Sequence, residues 1–135
     1  MRALWFGGVE MCWAGRLDRL GSTESGSEAR ALTTNTRFLI LPWVTVPQLA
    51  SHLLGCVTRR LGADWREKYG HPIHAVETFV ERARFRGTCY RAANWERVGE
   101  TQGRTRNDRD RRIRSTVKDV YLLALSKNFR RELGA

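Results

Sequence analysis

From Arg37 onward, the chain changes from an irregular mixture of apolar and polar positions to regular patterns. Phe38-Leu39-Ile40-Leu41 is a continuous apolar run ended by Pro42, the pattern of a short strand buried on both faces. Pro47 suits the first turn of a helix, and Leu49, Leu53, Leu54, Val57 and Leu61 recur at helical spacing. One amphipathic helix is predicted there, with Arg59 and Arg60 in its last turn and Gly62 as its cap, and Ala63 to Tyr69 is read as a short second helical piece. Ile73 to Val80 predicts a second strand, in which Glu77 interrupts the apolar positions and is expected to face solvent, the alternative being a seat in a polar pocket. A short helix is predicted within Ala83–Ala93, opening near Gly87-Thr88. Trp95–Thr101 and Val117–Leu125 predict two further strands, on either side of the polar segment Gly103–Arg114. The order from residue 37 is β-α-β-α-β-β, which places the chain in the α/β (α+β) class, a mixed sheet with flanking helices. Before Arg37 the pattern is poor. Trp5 and Trp13 stand in a stretch without clean period, and Gly21–Gly26 is turn-rich. Residues 1–34 are therefore read as a poorly defined segment, truncated or non-native relative to a longer parent, and 35–135 as one domain.

At 135 residues a single core can bury roughly two-thirds of the surface the unfolded chain exposes, so no metal or disulfide staple is needed. Cys12, Cys56 and Cys89 are odd in number and widely spaced, with no CxxC pair. That argues against a disulfide framework and a zinc ribbon, and a cytoplasmic location follows as the expectation. The longest mostly apolar run, Phe38 to Val46, is far too short to cross a bilayer, and no secretory leader pattern is read. Charge changes the picture more. Residues 82–135 hold fifteen basic and six acidic side chains, against nine and eight in residues 1–81, so nearly all of the net +10 lies in the second part. The excess is mostly arginine, which forms bidentate contacts with phosphates.

The segment Arg84 to Gly103 interleaves Arg84, Arg86, Arg91 and Arg97 with Phe85, Tyr90 and Trp95. Arginine with aromatic rings is the composition that holds a phosphate backbone while stacking on bases. The following loop adds Arg104, Arg106, Arg109, Arg111, Arg112 and Arg114. These ten arginines and Trp95 are the candidate nucleic-acid-binding residues, with DNA as the expected partner. One or more of the three rings is also expected to fill the core. Cys89, beside Arg86 and Arg91, is either a thiol of lowered pKa or a buried packing residue. No catalytic motif stands out, and the scattered carboxylates and histidines suggest neither a metal site nor a cofactor.

NTRFLILPWVTVPQLASHLLG (residues 35–55), VETFVERARFRGTCYRAANWERVGETQGR (76–104) and KDVYLLAL (118–125) together resemble the Druantia anti-phage protein A (DruA) family. The resemblance covers residues 35–133, and FRGTCYRAANW is its most specific part. It implies a role in phage defence, beside other Druantia components that include a large helicase-like protein. The family is also met near transposase-like genes, so a transposase-associated accessory role is an alternative. A fainter similarity is to the GCN5-related N-acetyltransferase fold, in strand 38–41, the helix after it and strand 73–80. There Tyr90-x-x-x-Asn94-Trp95 is reminiscent of the motif whose tyrosine serves as general acid. That similarity implies an acetyltransferase-like scaffold and, as the rival function, an acyl-CoA-dependent transferase with Tyr90 catalytic. Against it, WVTVPQLAS at the helix start has no glycine, and Pro47 removes an N–H that a pyrophosphate would need. A non-catalytic, nucleic-acid-binding or partner-binding component is the leading expectation.

Overall fold

The computed structural model describes residues 2–6, 9–15, 32–103 and 115–132. Six strands and three helices follow one another: β1 (Arg2–Phe6), β2 (Val9–Gly15), β3 (Leu32–Ile40), α1 (Leu49–Tyr69), β4 (Ala75–Glu81), α2 (Thr88–Ala92), β5 (Glu96–Glu100), β6 (Lys118–Ala124) and α3 (Phe129–Glu132). The strands form one mixed sheet in the order β1-β2-β3-β4-β6-β5. Every neighbouring pair is antiparallel except β3 and β4, which run parallel. From residue 37 the predicted β-α-β-α-β-β order is therefore present.

Alternation explains the strands. In β4, Val76, Thr78 and Val80 turn to one face and pack with Leu54 and Leu61 of α1, Tyr90 of α2, Tyr121 of β6, and with Ile73 and Trp95 just outside the strands. α1 lays its stripe of Leu54, Thr58 and Leu61 on this core, and Thr58 returns its hydroxyl proton to the Leu54 carbonyl at 2.8 Å. The helix does not stop at Gly62. Leu61 and Trp65 continue the buried stripe, so it runs to Tyr69, and Gly70 caps it with φ 73 and an N–H to the Arg66 carbonyl at 2.9 Å.

Three expectations are corrected. The segment read as irregular contributes β1 and β2, which pair antiparallel with Phe6 opposite Val9. Gly7-Gly8, between two apolar runs, is the hairpin signal in the sequence. The strand expected at 38–41 begins six residues earlier, and its buried members are Thr33, Thr34 and Asn35, while Leu39 is 44% exposed. The reason is pairing: β3 meets β4 only through Leu32–Asn35, so its apolar end is not enclosed on that side. Glu77, expected to face solvent, is buried and accepts a hydrogen bond from the Thr34 hydroxyl at 2.7 Å. A carboxylate can be buried where such donors satisfy it.

Candidate nucleic-acid interface

One end of the sheet gathers the exposed chemistry. Because β3 and β4 are parallel, their C-terminal ends point the same way, and Glu81 opposite Lys118 brings the start of β6 there too. The connection 41–48, the loop 82–87 and the boundaries of segment 104–114 all leave from this end. Those boundaries are tied together: the Ser115 N–H donates to the Gly103 carbonyl at 3.1 Å, and the Thr101 N–H to the Lys118 carbonyl at 2.8 Å. Trp43 is 74% exposed and Phe85 56%. The Arg84 guanidinium lies 5.4 Å from the Phe85 ring centre and 3.9 Å from the Glu81 carboxylate. Arg86 and Arg91 are also exposed, and the Arg91 side chain donates to the Arg86 carbonyl at 3.2 Å.

Between the two halves of the sheet the parallel ladder ends at Asn35 and Thr78, while β3 continues to Ile40 beside β2 and β4 to Glu81 beside β6. The strands enclose a cleft of about 590 Å³, with Arg37, Arg86 and Lys118 at its rim and Phe38 and Tyr90 in its wall. The Asn35 side-chain amide donates to the Tyr90 oxygen at 3.3 Å, and Thr78 donates to the Asn35 carbonyl at 3.2 Å. Burial pushes the Tyr90 phenol up to about 12, so it holds its proton at neutral pH. Cys89 is half-buried, and burial raises rather than lowers its thiol, so the packing reading of this residue holds.

The segment FRGTCYRAANW is largely architectural. Gly87 at φ 64 opens the single turn of α2, and Asn94 at φ 64 follows it. The Trp95 N–H returns to the Tyr90 carbonyl at 3.0 Å. Tyr90 then packs on three rings: edge-on to Trp95 (5.3 Å between centres) and Phe38 (6.2 Å), and stacked on Tyr121 (5.9 Å). Trp95, singled out as a stacking platform, is 3% exposed and offers no face to a base. The rings that can stack at this end are Phe85 and Trp43, and the position of Trp43 past the end of β3 is one a linear pattern does not reveal.

The candidate arginines divide. Arg97 is committed to a network, donating to Asp119 at 2.9 Å and Glu100 at 3.1 Å, and Arg82 bonds to Asp119 at 2.7 Å and also to Glu100. These donors hold the Asp119 carboxyl below the usual carboxylate range, Arg82 first. Arg84, Arg86 and Arg91 are exposed near the cleft, whereas Arg104, Arg106, Arg109, Arg111, Arg112 and Arg114 lie outside the described residues. Arg37 and Lys118, which are not among the sequence candidates, come to the cleft through strand pairing. Among the described residues, no cluster of His, Cys, Asp and Glu converges as a metal site, and no helix is long and apolar enough to cross a membrane.

The family model described as Druantia protein DruA matches residues 21–119, beginning before residue 35, where the resemblance read from the sequence starts. Among solved structures, the crystal structure of a protein assigned as an acetyltransferase from Sphaerobacter thermophilus DSM 20745 is similar, with 12% identity and a TM-score of 0.40. The similarity covers 70% of this chain and 51% of that one, so the chain spans about half the length of that structure. No protein of curated function matches the sequence.

Proposed function

The chain belongs to the Druantia DruA family, and from that membership we propose that it serves Druantia anti-phage defence by holding single-stranded DNA, alongside other components of the system. The observation that carries the proposal is the convergence on one sheet end. Exposed Trp43 and Phe85, Arg86 of loop 82–87, which has no ion pair among the described residues, and the two boundaries of the arginine-rich segment 104–114 all leave from there. Such a surface grips phosphates with its cations and stacks bases on its rings, which single strands offer and a duplex hides. The reading requires no chemical step, and it locates the work in the cytoplasm, where entering phage DNA is met.

A mobility-shift titration of the chain against single- and double-stranded DNA at two salt concentrations tests it. Tighter binding to the single strand is expected, with log affinity falling by roughly 0.7 per neutralised phosphate for each tenfold rise in salt. Changing Arg104, Arg106, Arg111 and Arg112 to Ala together should flatten that slope. Trp43→Ala should weaken single-strand binding about tenfold at constant slope. A flat salt response in the unmodified chain, or full affinity in the quadruple variant, would sink the proposal.

A further inference from the structure

The cleft in the sheet carries a ligand chemistry of its own. Its volume of about 590 Å³ lies within the range of small-molecule sites, roughly 300–1,000 Å³. Its walls have two characters. Phe38 and, at the mouth, Phe85 supply flat apolar faces, and the Phe38 ring is fixed edge-on against Tyr90. Arg86 and Lys118 bring two cations beside Arg37, and the carboxylate among the described lining residues, Glu81, leans to Arg84. Arg82 and Arg97 nearby are committed to Asp119 and Glu100. By contrast, neither the Arg86 guanidinium nor the Lys118 ammonium makes an ion pair among the described residues. A cavity with aromatic walls and, in Arg86 and Lys118, two cations without ion pairs suits a flat base joined to a phosphate.

We propose that this cleft is a nucleotide site, taking one base against Phe38 and Phe85 and its phosphate at Arg86 and Lys118. The inference deepens the strand-binding reading and rests on it for the source of that nucleotide, the free end of a bound single strand. Loop 82–87 belongs both to the strand-binding surface and to the mouth of the cleft, so an end leaving the surface meets the cleft directly. A free nucleotide offers the same chemistry.

The test uses single-stranded oligonucleotides carrying 2-aminopurine at one terminus or at the centre, read by anisotropy for binding and by emission for the environment of the base. Two variants separate the contributions. Ala50→Phe fills the cleft from the first turn of α1 without touching a cation, and Arg86→Ala removes an exposed charge with little risk to folding. A terminal probe should change its emission on binding while a central one does not. Ala50→Phe should remove that change and leave the anisotropy affinity within about threefold, and Arg86→Ala should weaken the terminal response about tenfold. Adenosine 5′-monophosphate that reverses the emission change shows that free nucleotides enter as well. If the change persists, strand ends are the source. Both results support a nucleotide site. Equal responses at the two probe positions, or a response surviving Ala50→Phe, overturn the site and leave strand binding standing. Acetyl-CoA that competes where the monophosphate fails overturns it too. If no oligonucleotide binds, the strand-binding reading falls. Titrating adenosine 5′-monophosphate by calorimetry then decides the cleft alone: binding lost in Arg86→Ala upholds it, and no binding ends it.

Discussion

Gly87→Ala should be among the most damaging single-methyl changes in this protein. At φ 64 the residue occupies the left-handed region, which an alanine enters at a cost of about 1–2 kcal/mol. The new methyl would also lie 2.6 Å from Cζ of Tyr121, far inside van der Waals contact. Tyr121 is 2% exposed and stacked on Tyr90, so its ring has nowhere to retreat. Overpacking of that kind costs about 1–3 kcal/mol more. Together these give roughly 2–5 kcal/mol, which for a chain of this length lowers the melting temperature by about 10–20 °C. Gly70→Ala is the internal control. Gly70 is also left-handed, at φ 73, but an added methyl there meets nothing within 4 Å. It should cost only the backbone part, about 1–2 kcal/mol and a few degrees. Thermal melts followed by far-ultraviolet circular dichroism, with urea titrations for the free energies, measure both. If Gly87→Ala proved no more destabilising than Gly70→Ala, the close approach of the Gly87 backbone to the Tyr121 ring would be refuted.

Three further outcomes follow from the packing and the charges. Trp95→Ala should cost about 3–5 kcal/mol in urea unfolding, whereas Trp43→Ala should stay within about 0.5 kcal/mol; similar costs would contradict their opposite burial. The Tyr90 phenol is held up to about 12 by burial, so the unfolded chain releases that proton first, near pH 10. Its contribution is therefore whole below pH 10 and fades between pH 10 and 12, and the stability of Tyr90→Phe should fall less steeply there. Asp119, held low by Arg82 and Arg97, adds stability that is present above its unfolded value of about 3.9 and lost as pH falls through the lower folded one. Urea midpoints between pH 2 and 5 should drop more steeply for the unmodified protein than for Asp119→Asn, and parallel curves would refute the pairing.

Much of the scaffold was legible because it is local. The leucine spacing of α1, the alternation of β4 and the Gly87 start of α2 each declare themselves within a few residues. What escaped was non-local. Glu77 looked like a solvent-facing interruption because its partner, Thr34, stands 43 residues away on a strand that meets β4 only through its first half. Trp43 and Trp95 are alike on paper. Burial separates them, because Trp43 follows the end of β3 while the turn at Asn94 folds Trp95 back onto Tyr90. For the same reason the basic segment was visible as composition, whereas its division into committed arginines, Arg82 and Arg97, and an uncommitted one, Arg86, depends on where Asp119 and Glu100 fall in the sheet.

The short parallel contact between β3 and β4 also governs how the molecule yields. On one side β1, β2 and β3 form an antiparallel meander, and on the other β4, β6 and β5 form a second antiparallel unit, in which β6 lies between β4 and β5. Only Leu32–Asn35 against Ala75–Thr78 joins the two ladders directly. Cooperative opening follows the boundaries where few bonds cross. The two antiparallel units should therefore behave as separate units of native-state hydrogen exchange. Amides of residues 36–40 should keep pace with those of β2, and amides of β4 with those of β6, while the join between them marks the line along which the protein first comes apart.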